Sequence, residues 1–370
     1  MKIGIVCYPT QGGSVVMATE LGLALTRRGH SVHFIAYDLP FRIKALPERA
    51  RFHKVDVASY PLFKFPLYTV ALISKISDVM EQESLDILHV HYAIPHSTAA
   101  LMAKMMTCCE NTKIITTLHG TDVLLVGLEP SYYKITKYSI ERSDGITAVS
   151  NYLRDATFKG FGIDKDIEVI YNFADTSKFK PLPTSERSSK EARVIHISNF
   201  RAVKRVQDVV HAFNLIRQRL PARLVMVGDG PEKEGVKELA GALGIEKNIE
   251  FMNTISDVSE VLAKADLFLL PSQIESFGLA ACEAMSCGVP VVAYNVGGLP
   301  EVIESGVDGY LVELGDIKGM AEIGLKILSN PSLGSEIGRR ARAKVLKRFS
   351  QDKIIDLYED YYRRIVGVRL

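Results

Sequence analysis

The sequence predicts an α/β fold made of two doubly wound domains in tandem, each a parallel sheet with helices on both faces, set across one cleft. Three observations lead there. Short, near-continuously apolar runs alternate with longer stretches of helical period, the pattern of strands covered on both faces by crossover helices. The rhythm breaks once, at "YNFADTSKFKPLPTSERSSKEAR" (171–193), where prolines, polar residues and charges replace it, and then resumes in the same form. A chain of 370 residues is also longer than one core comfortably organises.

In the first half, "KIGIVC", "SVHFIAY", "DILHVHY", "KIITTLHG" and "DGITAVS" read as strands. "VVMATELGLALTRRG" (15–29) reads as a helix closed by a C-terminal glycine. The second half supplies "RVIHISNF", "ARLVMVGDG", "NIEFMN", "ADLFLLPS" and "VPVVAYN", each followed by a helix candidate. Domain limits of 1–173 and 174–349 follow. After Ser350, "QDKIIDLYEDYYRRIV" is an amphipathic last helix (350–370) that either stays on the second domain or crosses back to the first.

Composition narrows the function classes. With 47% hydrophobic and 24% charged residues, and 45 basic against 43 acidic side chains, the chain is globular and carries no basic excess for nucleic acid. No apolar run reaches the length of a spanning helix, and the opening "MKIGIVCYPTQGG" is strand-like rather than a leader, so a cytoplasmic location without stable membrane insertion is expected. Cys7, Cys108, Cys109, Cys282 and Cys287 lack CxxC spacing, which predicts reduced, mostly buried thiols and no zinc site.

Doubly wound sheets bind ligands beyond the carboxyl ends of their strands, so the cleft between two such domains is where chemistry is sought. In "CYPTQGGS", Gly12 and Gly13 permit close backbone approach and Ser14 can cap the first helix, although the third glycine of a dinucleotide loop is missing and a plain tight turn is the competing reading. "TTLHGTD" sets His119 at a strand end. In "HVHYAIPH", His89 and His91 share a strand face, but no carboxylate or cysteine accompanies them at ligand spacing, so no metal is expected there. "DKD" (164–166) reads as a solvated turn.

In the second half, "SNFRAVKRVQD" puts Arg201, Lys204 and Arg205 where a helix begins, a place for an anion, with a solvated basic face as the alternative. Asp229 and Gly230 in "VGDGPE" form a turn that can bring backbone close to a ligand. The richest stretch is "LFLLPSQIESFGLAACEAMSCGVPVVAY" (267–294). If Ser276 caps a helix running to Cys287, the amides of Phe277, Gly278 and Leu279 point toward an anion such as a diphosphate. At helical rise, Glu275 and Glu283 would then lie roughly 12 Å apart, enough to hold the two ends of one sugar nucleotide.

"ESFGLAACE" resembles the E-x7-E motif of the retaining family 4 glycosyltransferases, whose GT-B fold is two Rossmann-like domains, and the resemblance covers essentially the whole chain. More narrowly, "CYPTQGGS", "ATELG", "HVHYAIPH", "TTLHGTD", "YNFAD", "SNFRAVKRVQD" and "VGDGPEK" resemble the branch that moves N-acetylglucosamine from UDP-N-acetylglucosamine to the hydroxyl of L-malate in bacillithiol biosynthesis. The resemblance implies that Glu283 binds the ribose, Glu275 the donor sugar, and the amides of Phe277, Gly278 and Leu279 the diphosphate. It implies further that Arg201 with Lys204 or Arg205 neutralises the leaving phosphate, that His119 touches the sugar near the reacting carbon, and that Gly13 and Ser14 close the site. Asp229 and Gly230 join the donor side. This sequence departs from the family pattern at Val15, where a glycine is common, and in the close spacing of Arg201 and the following lysine.

Charge development implies the mechanism: fixed cations and a helix N-terminus stabilise the departing phosphate without metal or cofactor, and the phosphate itself takes the acceptor proton in a same-face attack. L-malate, a dianion, requires donors, sought at Ser14, Tyr92, Thr117, Asn151 and Arg154. Three alternatives stay open: a family member with a lipid or inositol phosphate acceptor, a nucleotide-sugar epimerase, and a non-catalytic sugar-nucleotide sensor. A homo-oligomer is compatible with the sequence.

Overall fold

The computed structural model describes residues 1–370 except 11, 44, 60, 63, 183–190 and 368–370. Gln11 of the first turn and residues 183–190 of the break therefore lie outside the described residues. The chain divides into two compact units, Met1–Tyr171 with Ile354–Leu370, and Asn172–Lys353.

Unit 1 begins with β1 (Lys2–Val6), α1 (Gly13–Arg27), β2 (Ser31–Ala36), β3 (Ala50–Lys54), α2 (Tyr68–Glu83) and β4 (Ile87–His91). It continues with α3 (Thr98–Met106), β5 (Lys113–Leu118), α4 (Pro130–Arg142), β6 (Gly145–Ala148), α5 (Asn151–Phe161) and β7 (Glu168–Val169). The strands form one parallel sheet in the order β3-β2-β1-β4-β5-β6-β7. Ile3, Ile5, Phe34, Ile87 and Ile114 are buried, as a sheet covered on both faces requires. β3 ("ARFHK") and β7 escape a reading by apolarity because edge strands are only half covered and tolerate charge. Ser14 does not cap α1: the helix starts at Gly13 with Gly12 before it, so Ser14 is already in the first turn.

Unit 2 opens with β8 (Ala192–Ile197), α6 (Val206–Arg217), β9 (Ala222–Val227), α7 (Lys233–Ala242), β10 (Ile249–Met252), α8 (Ser259–Ala263) and β11 (Leu267–Leu270). α9 (Leu279–Ser286), β12 (Val291–Tyr294), α10 (Leu299–Val302), β13 (Tyr310–Val312), α11 (Ile317–Leu328) and α12 (Pro331–Arg348) complete it. Its parallel sheet runs β10-β9-β8-β11-β12-β13. Phe200, Phe213, Leu224, Met226 and Leu269 fill a core between this sheet and α6, α7 and α11.

The last helix, α13 (Gln351–Val366), belongs to unit 1 from Ile354 onward. Its apolar face is held by directed bonds as well as burial. The Tyr361 hydroxyl donates to the Ile146 carbonyl at 3.1 Å, Tyr362 Oη pairs with His89 Nδ1 at 2.7 Å, and Arg28 meets Asp356 and Glu359. Among the described residues no helix is long and apolar enough to cross a membrane. Cys7, Cys282 and Cys287 are buried free thiols, in line with the expectation of mostly buried cysteines, while Cys108 is exposed and Cys109 half-buried in the turn after α3.

Candidate active site

Each sheet has a switch point, where the chain leaves neighbouring strands in opposite directions and opens a crevice at their carboxyl ends. In unit 2 it lies between β8 and β11. The loop after β8 carries Arg201, Lys204 and Arg205; the loop after β11 carries Glu275 and leads into α9. Gln273 N donates to the Val203 carbonyl at 2.8 Å and ties the two loops together.

Across that tie, Lys204 Nζ meets Glu275 Oε2 at 2.7 Å, with both side chains largely withdrawn from water. Arg205, at the start of α6, turns elsewhere: its Nε bonds Asp208 Oδ2 at 2.6 Å, which also accepts from the Tyr294 hydroxyl at 2.7 Å. Burial and Asp208 together push the Tyr294 phenol well above its usual range. Arg201 is exposed at the mouth of the same loop. Asp229 and Gly230 occupy the turn after β9, beside this loop, since Glu232 N donates to the Phe200 carbonyl at 2.9 Å. Asp229 is exposed, and its Oδ1 accepts the Gly230 amide at 3.0 Å.

The helix with the second carboxylate differs from expectation. α9 begins at Leu279, not after Ser276, because Gly278 takes φ +94° immediately before it. The amides of Gly278 and Leu279 belong to the opening of that helix, whereas Phe277 stands ahead of it with its ring buried against Phe349. Glu275 lies on the loop, so helical rise does not set its separation from Glu283. Glu283 is on the helix and only 5% exposed.

Gly297 fixes the Glu275 loop from beneath. It takes φ +57°, and a Cβ there would stand 2.0 Å from the Glu275 carbonyl, which accepts the Gly298 amide at 2.9 Å. Gly297→Ala is therefore expected to cost about 2 kcal/mol of unit 2 stability through the left-handed backbone and the displaced loop. Denaturant unfolding measures the loss, and stability equal to the parent would contradict this account.

In unit 1 the switch point lies between β1 and β4. There Ser14 Oγ and Tyr92 Oη share a short hydrogen bond, and the Tyr92 ring lies 5.3 Å from that of His119. Tyr92 takes φ +94°, and its amide donates to the Thr117 carbonyl at 3.0 Å. Asp122, buried at 2% exposure, accepts the amides of Ala93, His119 and Gly120, so it shapes both loops. Burial raises its carboxyl against the pull of those amides.

Thr117 is one of the acceptor candidates read from the sequence. It is fully buried, and its hydroxyl is shared between His89 Nε2 and Thr147 Oγ1, both at 2.6 Å, because its strand position turns it into the sheet core. Asn151 and Arg154 stand on the first turn of α5, after β6; Asn151 Nδ2 donates to Tyr171 Oη at 2.8 Å and Arg154 pairs with Asp155 at 2.9 Å. Gly13 opens α1 beside Ser14.

His89, His91 and His119 form a stack rather than a ligand set, with His91 Nδ1 and His119 Nε2 at 2.8 Å. Burial pushes His89 and His119 down to about 3 and His96 to about 4, and holds His91 well below its ordinary value. His119 is thus neutral at physiological pH. Because these folded-state values lie below the unfolded 6.5, both states are neutral above that pH and titration contributes nothing. Below it the unfolded chain takes up protons that the fold refuses. Unit 1 is expected to lose roughly 3 kcal/mol between pH 7.5 and 6.0 from His89, His91, His96 and His119, read by denaturation at each pH. Stability that rises over that interval would refute it.

Two features gave no sequence signal: Asn199 Oδ1 and Ser272 Oγ are buried without a hydrogen-bond partner among the described residues, one in each loop of the unit 2 switch point. Only the folded loops bury such polar atoms.

Comparison with known proteins decides the family. Residues 180–344 match the model described as glycosyl transferases group 1, and residues 11–178 match glycosyltransferase family 4. The chain is 47% identical over 368 residues to N-acetyl-alpha-D-glucosaminyl L-malate synthase of Bacillus anthracis, covering 98% of this chain and 96% of that protein. The chain belongs to the family 4 glycosyltransferases. As an enzyme this transferase keeps that family's architecture. Its structure resembles sucrose-phosphate synthase from Thermosynechococcus elongatus, with a TM-score of 0.84 at 19% identity over all of both chains. Anabaena Alr3699/HepE, solved with UDP-glucose, gives 0.79 at 22% identity over 98% of this chain and 99% of that one. At such identities the likeness establishes the shared GT-B fold.

Proposed function

We propose that this transferase moves N-acetylglucosamine from UDP-N-acetylglucosamine to the hydroxyl of L-malate with retention of the anomeric configuration. The observation that carries the reading is the 47% identity, over nearly the full chain, to a relative named for the malate reaction.

Unit 2 is the proposed donor side. Glu283 accepts hydrogen bonds from the ribose hydroxyls, and the opening amides of α9 face the diphosphate. Arg201 and Lys204 stabilise the charge that builds on the departing phosphate, and Glu275, already bonded to Lys204, orients that ammonium and receives donor-sugar hydroxyls. Both cations left open by sequence are ion-paired, and Lys204 is the better candidate because its partner Glu275 lies on the loop that leads into α9, whereas Arg205 is turned toward Asp208 and Tyr294. In unit 1 the neutral His119 suits a sugar hydroxyl, and Ser14 with Tyr92 offers hydroxyl donors to a carboxylate. The leaving phosphate oxygen takes the acceptor proton as the new bond forms on the face it vacates.

The test is incubation with UDP-N-acetylglucosamine and a panel of acceptors, read by mass spectrometry and anomeric proton coupling. Malate glycoside with the α configuration supports the proposal. Product only with inositol or lipid phosphates, or a released 2-epimer without acceptor, would replace it. Turnover is also expected to survive EDTA to within about twofold, since side-chain cations hold the phosphate; complete loss restored by magnesium or manganese would overturn this.

A further inference from the structure

We propose that His33, His53 and Glu83 bind a transition-metal dication of the zinc class, at the opposite edge of the unit 1 sheet from β7. Their ligand atoms all lie within 4.8 Å of one another. His33 pairs with Arg51 across β2 and β3, and His53 stands two residues beyond Arg51, so both imidazoles rise from the same sheet face. Glu83 reaches them from the last residue of α2. One ligand from each of three elements converges on one point.

The separations suit a tetrahedral ion. His33 Nδ1 lies 3.0 Å from His53 Nε2 and 3.9 Å from Glu83 Oε1. Two ligands bound at usual zinc distances stand about 3.3 Å apart, between those values, so the site closes by sub-ångström shifts of side chains. His33 Nε2 sits 3.2 Å from Ser31 Oγ, which can hold the ring proton on the far nitrogen and leave Nδ1 free to ligate. At present the two rings share one proton between Nδ1 and Nε2; the ion replaces it, and that proton moves to the remaining nitrogen of its own ring without net release.

Two imidazoles and one carboxylate leave the fourth position to water, and His53 and Glu83 are half-buried, which provides a path inward. Lys2, Arg51 and Lys75 act on the same rings and oppose a cation. Micromolar rather than tighter affinity follows. The ion would clip the sheet edge to the end of α2, away from the residues assigned to transfer.

Chelator-treated full-length protein is titrated with Zn2+ alone, and separately with Co2+ for its absorption spectrum. Expected are one saturable site, a dissociation constant on the order of micromolar, a tetrahedral Co2+ spectrum without thiolate charge transfer, and a melting temperature raised by about 3 °C. His53→Gln and Glu83→Gln should each weaken Zn2+ binding at least tenfold while the metal-free melting temperature stays near the parent's. Absence of a saturable site, equal affinity in both variants, or a thiolate signature placing the ion on the cysteines would each overturn the proposal. Because turnover is expected to be metal-independent, loss of this site and failure of the transfer reading are separable.

Discussion

Glu283→Ala is expected to weaken UDP binding about a hundredfold, whereas Glu275→Ala leaves UDP affinity within about threefold and lowers turnover instead. Glu283 is buried on α9, and in the proposed complex its carboxylate receives the ribose hydroxyls in a site withdrawn from water. A charge-assisted hydrogen bond of that kind contributes about 1.5–3 kcal/mol, and a hundredfold is about 2.7 kcal/mol. Ribose contacts are made equally in ground and transition states, so their loss appears in binding. In the proposed complex Glu275 acts through Lys204 and the sugar, where charge changes during reaction, so its loss is expected to appear in kcat. Titration calorimetry with UDP separates the two. Unchanged UDP affinity in the Glu283 variant would remove the ribose assignment.

Lactate is expected to be at least a hundredfold poorer than L-malate in kcat/KM under identical UDP-N-acetylglucosamine. The two acids share the reacting hydroxyl and one carboxylate and differ in the second. If that second carboxylate is held by directed donors in a dry pocket, its removal strands them and costs roughly 2.7 kcal/mol or more, well above the ~1 kcal/mol of an exposed ion pair. With Thr117 withdrawn into the core, Ser14, Tyr92, Asn151 and Arg154 remain as candidates to supply those donors. Comparable constants for the two acids would argue against a dedicated dicarboxylate pocket and for a family member with another acceptor.

Periodicity alone located the principal strands, since a doubly covered parallel strand must be apolar along its whole length and a crossover helix must carry a stripe. It could not find β3, β7 or β13, whose edge positions relax that demand. The candidate motifs stood out for a related reason: glycines and charges gather at the ends of apolar strands, where the periodic pattern stops. Ser14 and Ser276 misled because a serine before a helix is a good cap by composition, whereas Gly12 and Gly278 stand at those positions in the fold.

What the sequence determined by itself was the layer architecture, the family and the set of chemical groups near the strand ends, because these depend on residue type and order. What only tertiary structure decided was which groups face each other: Lys204 with Glu275, Arg205 with Asp208, Ser14 with Tyr92, Thr117 with His89. Lys204 and Glu275 are 71 residues apart and meet because β8 and β11 are hydrogen-bonded neighbours. Pairing of that kind is set by the order of strands in the sheet, a long-range property that no local window of sequence contains.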